Sequence, residues 1–312
     1  MTGQRRQALA RQRGTAVIMA LIVVAVVAAL ATSLFQRQTA STRQFENALS
    51  GIQARQFLKG GTDWARLILR DHGRQNRITT PDQVWATPVM DTRIERPGDE
   101  RVAVFSGRLE DEQGKFNLYT LARNGAPQSE QQKVLARLLQ LQQLPESLAD
   151  TLLEAIAAAQ APAALASNTG NPDLQAPLPR GVAELAAWLR LPPSARAALT
   201  RTMTLLPAAV SVNVNTAPPE VIAALIPGLS LSQARSITGE RDRGNGFNNS
   251  ADFSNRLAAF GVNEGIPPVV THSNWYLASG TLVYERARVG MQALLHSASP
   301  AAPKTQWIRE LQ

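Results

Sequence analysis

The sequence predicts an α+β protein with a long N-terminal helix that spans a membrane, a small antiparallel sheet and a large inserted all-helical domain. Residues 15–35 form a run of 21 residues without a charge. As a helix this run covers about 30 Å, the thickness of a bilayer core. Patterns typical of strands occur in the middle of the chain and near its end, and the segment between them has helical spacing.

The predicted helix continues beyond the membrane. Apolar or large side chains recur every three or four positions on one helical face, at Phe45, Leu49, Ile52, Gln56, Trp64 and Ile68. Gly73 is typical of a residue that ends a helix. We therefore expect a spine helix over residues 15–73, with its membrane-spanning part at 15–35.

The body beyond the spine has strands at both ends. Residues 101–109 and 115–118 predict two strands joined by an acidic turn, and residues 274–280 and 281–295 predict a β-hairpin. The Ala- and Pro-rich end predicts a flexible tail. The expected units are a sheet-bearing unit of 74–126 and 269–296, an inserted helical domain of 127–268 and a tail of 297–312.

Charge gives the orientation in the membrane. Half of the net charge of +8 comes from Arg5, Arg6, Arg11 and Arg13, all before the apolar run. By the positive-inside rule residues 1–14 lie in the cytoplasm, and the body lies outside it. The basic excess therefore indicates topology more than nucleic-acid binding.

Three interpretations of the N-terminus are open. An ordinary signal-anchor needs only the span and the charges. A cleaved secretory signal peptide would use Ala29-Leu30-Ala31 as its A-x-A site. The third interpretation explains why the basic leader ends at Gly14 directly against the apolar run. In the prepilin class the peptidase cuts after such a glycine, here between Gly14 and Thr15, and the apolar helix is retained as an assembly stem.

Residues 213–253 form a second informative segment. Asn215 or Thr216 is expected to cap a helix that has prolines in its first turn, and Pro227-Gly228 is expected to end it. Further short helices are expected over 232–240 and from residue 250. This pattern is similar to the helix-hairpin-helix modules of the DNA-uptake competence proteins.

The order of motifs resembles the GspK family, the large minor pseudopilins of the type II secretion system, over nearly the whole chain. The motifs are the "RQRG" leader end, "GGTDWARLIL", "LEDEQGKFNLYTL" at 109–121 and "VNVNTAPPEVIAALIPGLS" at 212–230, with "S-x-W-Y-L" near the end. The resemblance implies a pilin-like fold in a single-pass protein of the cell inner membrane, with its C-terminal domain in the periplasm. It also implies that Thr15 is N-methylated after cleavage.

The same resemblance implies a function and its partners. The chain is expected to join, and to cap, the tip of the periplasmic pseudopilus that drives export of folded proteins across the outer membrane. The implied partners are the minor pseudopilins GspI, GspJ and GspH, the major pseudopilin GspG and the prepilin peptidase. Met19 stands where most pilins carry a glutamate that pairs with a neighbour's amine, and the GspK-type subunit is the family's exception in lacking it.

The alternative function is a membrane-anchored helix-hairpin-helix protein that binds DNA. Such hairpins normally have glycine at two positions, so that backbone N–H groups approach a phosphate. Gly228 fills the first position, but Ser230 stands at the second, and Gln233 lies where a lysine is usual. Arg235 and Arg241 are nearby cations among acidic residues, which makes nucleic-acid binding an unfavoured prediction.

Enzymatic and metal chemistry are not expected. The chain has no cysteine, its three histidines at 72, 272 and 296 lie far apart, and it has no recognised catalytic motif. The acidic residues 110–112 are interpreted as a solvated turn. The resemblance implies calcium bound by an Asp-rich stretch, but residues 155–166 nearly lack acids, so no metal or cofactor is predicted. The nearest acidic residues are Asp150, Glu154, Asp173 and Glu184.

Overall fold

The computed structural model describes residues 4–95, 101–161, 177–285, 287–298 and 301–311, with side chains from Val17 onward. Its helices are α1 (Gln4–Gln75), α2 (Ser129–Leu141), α3 (Ser147–Gln160), α4 (Val182–Trp188), α5 (Pro193–Thr202), α6 (Pro219–Leu225), α7 (Leu231–Asp242) and α8 (Ser250–Ala258). Its strands are β1 (Val89–Glu95), β2 (Val102–Asp111), β3 (Phe116–Asn117), β4 (Ala122–Arg123), β5 (Ala126–Pro127), β6 (Met203–Thr204), β7 (Trp275–Tyr284), β8 (Ala287–His296) and β9 (Lys304–Leu311).

The first helix is a single continuous element. It contains 72 residues and is therefore about 110 Å long. It does not end at the predicted Gly73 but continues to Gln75. Asn76 ends it, because both the backbone N–H and the side-chain amide of Asn76 donate to the carbonyl oxygen of His72, at 2.9 and 3.2 Å.

The main sheet has five antiparallel strands in the order β1-β2-β7-β8-β9. The predicted α+β class is confirmed. The turn between β7 and β8 lies at Glu285, which has a φ of +54°, and not at residues 280–281 as expected. Strand β1 was missed by the sequence analysis, because its alternation is broken where its register with β2 shifts between Val89 and Thr92.

The prediction of a flexible tail over 297–312 is wrong for its second half, because residues 304–311 form β9. Its partner is β8, with Met291 opposite Glu310 and Leu294 opposite Trp307. Trp307 packs against the buried side chains of Leu206 and Leu294. The Ala- and Pro-rich composition that suggested a flexible tail lies before Lys304, where β9 begins.

Beyond residue 50, one face of α1 packs on the sheet. Leu58 and Leu282 are buried together at the end of the sheet nearer to the N-terminal part of α1. Leu69, Tyr276 and Leu295 are buried together near the other end. Each such side chain contributes about 1.5–3 kcal/mol through removal of its apolar surface from water. The spine and the sheet are therefore held together by a continuous apolar interface.

The inserted unit has a core of its own, built from the helices α2–α8. Phe247 and Phe253 meet edge to face in it, with ring centroids 5.0 Å apart. The insert is not purely helical, since β6 pairs in parallel with β3. Most of the loop expected at 160–179 lies outside the described residues.

Candidate assembly site

The N-terminal part of α1, which we call the stem, has exposed apolar side chains. Within the described chain, the helix Val17–Gln75 is the one long and apolar enough to span a membrane, and its most apolar window has a mean hydropathy of 2.8 and no buried residue. Such a helix fits a single-pass membrane anchor. Its apolar surface has no partner among the described residues, which fits contact with a membrane or another subunit.

The structure places the residues predicted for processing and assembly on this stem. Gly14 and Thr15 lie within the helical backbone of α1, and their side chains are outside the described part. Met19 is 71% exposed. These positions share one helix, and their roles remain predictions.

The two long motifs of the sequence meet in a buried polar seam, which we define as Thr79, Asp111, Asn213, Thr216 and Ser273. The Asn213 amide donates to a carboxylate oxygen of Asp111 at 3.1 Å, to the hydroxyl of Ser273 at 2.8 Å and to the carbonyl of Thr79 at 3.1 Å. The segment that follows α1, strand β2 and the connection before β7 are thus joined to one amide of the insert. The seam fixes how the insert sits on the body.

Asp111 is the centre of the seam. Asp111 is 9% exposed and Glu112 7% exposed, so the interpretation of residues 110–112 as a solvated turn is wrong for these two residues. Burial raises the pKa of the Asp111 carboxyl above its ordinary range, whereas hydrogen bonds from Ser273, Thr216, the Gln113 backbone and Asn213 act in the opposite direction. Because all of these donors point inward, the carboxyl serves as a structural acceptor.

The neighbouring Glu112 is also turned inward. Its carboxylate accepts from the Lys115 ammonium at 2.6 Å, and both side chains are largely buried. The Thr204 hydroxyl of β6 donates to the other carboxylate oxygen. Glu112 therefore joins the turn between β2 and β3 to β6.

The seam leaves no space for a side chain at residue 114, which is Gly114. A Cβ at this position would lie 2.5 Å from the Thr216 hydroxyl oxygen and 2.8 Å from the Thr216 carbonyl carbon. The backbones of the two motifs approach so closely that only glycine fits. The segment around Gly114 and the segment around Thr216 therefore pack directly against each other.

The residues expected to cap the first hairpin helix have another role. α6 begins at Pro219, with Pro218 as its N-cap residue, so neither Asn215 nor Thr216 caps it. Asn215 is buried and exchanges two hydrogen bonds with the Phe247 backbone, at 2.7 and 2.8 Å. It ties the start of the hairpin to the loop before α8.

The hairpin turn itself is occupied by its own side chains. Ser230 and Gln233 form a capping box at the start of α7, each bonding the other's backbone N–H. Arg137 donates to the carbonyl oxygens of Ile226 and Leu229, at 2.7 Å each. The capping box pairs the backbone N–H groups of Ser230 and Gln233, so these two are not free for a phosphate.

Arg241, which the sequence offered as a candidate DNA contact, is buried. Its guanidinium donates to the carbonyl oxygens of Val214 and Ala217, at 2.9 and 2.6 Å. Arg235 is exposed. The structure therefore assigns one of the two cations to the interior and does not bring them together as a phosphate-binding pair.

The described acidic residues among those named above do not have the arrangement of a calcium site. Among the described residues, no three His, Asp or Glu side chains cluster in a way that would hold a metal ion. Asp150 and Glu154 are exposed on α3, and Glu184 accepts a hydrogen bond from the Arg180 backbone at 2.8 Å. Calcium requires six to eight oxygen ligands, so these residues do not fit it. Asp173 lies outside the described part.

Comparisons with known proteins agree with the resemblance. Two models of the family described as "Type II secretion system (T2SS), protein K" match residues 114–208 and 212–271. The type II secretion system protein K of Pseudomonas aeruginosa is 32% identical over 272 residues, which cover 81% of this chain and 79% of the relative. The protein of the same name from Klebsiella pneumoniae is 28% identical over 327 residues, covering 91% and 92%.

A solved structure shares the fold. It is the GspK-GspI-GspJ complex of the type 2 secretion system of enterotoxigenic Escherichia coli, and one chain of it matches with a TM-score of 0.55 at 15% identity. The match covers 88% of this chain and 99% of that chain. Together with the 32% identity to the Pseudomonas relative, these findings confirm the predicted resemblance. The chain belongs to the type II secretion system protein K family, the minor pseudopilins.

Proposed function

We propose that this minor pseudopilin joins the periplasmic pseudopilus of the type II secretion system and caps its tip. The observation that carries the proposal is the position of the insert. Thr79, four residues beyond the end of α1, contacts Asn213 of the insert through its carbonyl oxygen. The insert therefore lies at the end of the spine opposite to the stem, where a further subunit would otherwise be added.

Met19 supports the same position in the filament. It is the fifth residue counted from Thr15, where most pilins carry the glutamate that pairs with the amine of the subunit above. An unpaired carboxylate within a membrane costs about 2.5–3.5 kcal/mol. A subunit at the tip has no neighbour above it, so an apolar residue at this position is favoured.

We propose GspI and GspJ as direct partners, since the related GspK chain was solved together with them. GspH and GspG, deeper in the filament, are further proposed partners. The proposed topology is a single pass through the inner membrane, with the N-terminus in the cytoplasm and the body in the periplasm. Export of folded proteins is the activity of the assembly, and this chain contributes a structural role to it.

The processing step is testable on the chain alone. We propose that the prepilin peptidase cuts between Gly14 and Thr15 and that Thr15 is N-methylated. Intact mass of the membrane-extracted protein is expected to show a chain that begins at methylated Thr15. A chain that begins at Thr32 indicates a secretory signal peptide, and an uncut chain indicates a plain signal-anchor. Either result contradicts the proposed function.

A further inference from the structure

A cavity lies between the insert and the face of the main sheet that is turned away from α1. Tyr276 and Leu295 pack toward α1, and successive residues of a strand point to opposite faces. The sheet side of the cavity is accordingly lined by Leu277, Leu294 and Trp307, and its insert side by residues from the start of α4 and the end of α5. Its volume is about 90 Å³. A water molecule needs about 10–15 Å³, so the cavity admits a group of several heavy atoms.

The charges that line this cavity are unbalanced. Among the described residues, three cations line it, Lys115, Arg180 and Arg309, together with one carboxylate, that of Glu112. Lys115 and Glu112 are paired with each other at 2.6 Å. Within the described chain, Arg180 and Arg309 have no salt-bridge partner. Two guanidinium groups are therefore left without a carboxylate in contact.

The Arg309 guanidinium is fixed by the sheet and has a free nitrogen. Its Nε atom donates to the side-chain oxygen of Gln292 at 2.9 Å, and its Nη2 atom donates to the same oxygen. Its Cζ atom lies 5.4 Å from the centre of the Trp307 ring. Among the described residues, its Nη1 atom has no hydrogen-bond partner. The group is thus held in place with the N–H donors of Nη1 available to a ligand.

Arg180 lies close enough to Arg309 for the two charges to interact. Burial is the largest influence on the pKa of the Arg309 guanidinium and lowers it. The carboxylates of Glu184 and Glu112 act in the opposite direction, and the charge of Arg180 lowers the pKa further. Glu184 accepts from the backbone N–H of Arg180, at 2.8 Å. Two like charges at one cavity repel each other, and an anion between them is attracted by both.

We propose that the cavity binds the last residue of another polypeptide chain. The terminal carboxylate lies between Arg180 and Arg309, because a guanidinium group offers paired donors to a planar carboxylate. The last side chain is apolar and lies against Leu294 and Trp307, which removes apolar surface from water. The carboxylate and the side chain of a terminal residue are attached to one carbon atom, which suits an apolar wall directly beside two cations. A free phosphate or an internal acidic side chain would leave this wall uncovered.

A pair of peptides tests the site. The full chain in a neutral detergent is titrated by isothermal calorimetry with N-acetyl-Gly-Gly-Leu, first with a free C-terminal carboxylate and then with a C-terminal amide. We expect the free acid to bind about tenfold more tightly than the amide, because only the acid forms charge-assisted hydrogen bonds. Inorganic phosphate and N-acetyl-Gly-Glu-Gly-amide are the probes for a free anion and for an internal acid. Both are expected to bind more weakly than the free acid.

Three glutamine variants test the role of the two guanidinium groups. Arg180→Gln and Arg309→Gln are each expected to lower the affinity for the free acid about tenfold. Arg196→Gln is the matched control, because Arg196 is exposed on α5 outside the cavity, and it should bind as the unchanged chain does. Arg180 is exposed as well, so its replacement preserves the fold and keeps the test valid if Arg309→Gln is unstable.

Equal binding of the acid and the amide would overturn the proposed site. The same holds if Arg196→Gln weakens binding as much as Arg180→Gln does, or if phosphate or the glutamate peptide binds more tightly than the free acid. One copy of this chain forms the whole cavity, so these results are independent of the proposed position at the tip of the pseudopilus.

Discussion

The interface between α1 and the sheet is built from apolar side chains, whereas the seam between the body and the insert is built from buried polar ones. Leu58 and Leu282 meet in the first without directional bonds. In the second, Asn213 and Asp111 are joined to three further residues by hydrogen bonds at defined angles and distances. An apolar interface tolerates changes of shape, but a buried polar one requires every donor to be satisfied.

The difference fits the tasks of the two interfaces. The spine needs only to stay attached along its length, and area removed from water achieves this. The insert has to face one direction at the end of the spine, and hydrogen bonds select one orientation among several that bury similar area. We expect the seam to be the more sensitive of the two interfaces to small substitutions.

The largest expected effect is that of Asp111→Ala. It removes the carboxylate acceptor of the Thr216 and Ser273 hydroxyls and one of the three acceptors of the Asn213 amide, all in a buried site. The free energy of unfolding is expected to fall by about 3 kcal/mol, measured by urea denaturation of the detergent-solubilised chain. The double change with Asn213→Ala should cost less than the sum of the single changes. Additive costs would show that the two residues are not coupled.

A smaller effect is expected for Arg241→Met. The methionine keeps much of the volume of the side-chain stem but leaves the carbonyl oxygens of Val214 and Ala217 without their donor. The free energy of unfolding should fall by about 2 kcal/mol. Arg235→Met is the matched control on the same helix, since Arg235 is exposed, and should change it by less than about 0.5 kcal/mol. Equal losses for the two variants would contradict the buried role of Arg241.

The smallest effect is expected for Leu58→Met in the apolar interface. The exchange conserves volume, and methionine adapts to the space beside Leu282. The loss of stability should stay below about 1.5 kcal/mol. Urea denaturation under the same conditions as for Asp111→Ala compares the two interfaces directly. If Leu58→Met lowered the free energy of unfolding as much as Asp111→Ala, the two interfaces would not differ in their sensitivity to substitution.

The sequence predicted structure best where one property, such as hydrophobicity or helical spacing, continues along a segment. The stem was predicted from its unbroken apolar run, and the helices of the insert from their spacing and flanking prolines. Glu112 and Asp111 were misjudged because a cluster of acids in a short turn is usually solvated. Their burial depends on partners such as Asn213 and Thr204, which lie about a hundred residues later in the chain. Local patterns contain no information on such contacts.

The missed strands have a similar cause. β1 and β9 are edge strands, and each has one neighbour instead of two. Consecutive apolar residues, Val89-Met90 in β1 and Trp307-Ile308 in β9, break the alternation that reveals a strand. Gly114 was assigned to a turn from its neighbours, but the reason that only glycine fits is the approach of Thr216. That approach is a property of the folded chain.

We propose that this chain occupies the tip of the pseudopilus. The most direct test labels the chain at its C-terminus, assembles pseudopili with an excess of the major pseudopilin, and locates the label on single filaments by electron microscopy. We predict one label at one end of each filament, at the end remote from the membrane. Labels distributed along the filament, or at the membrane end, would contradict the account.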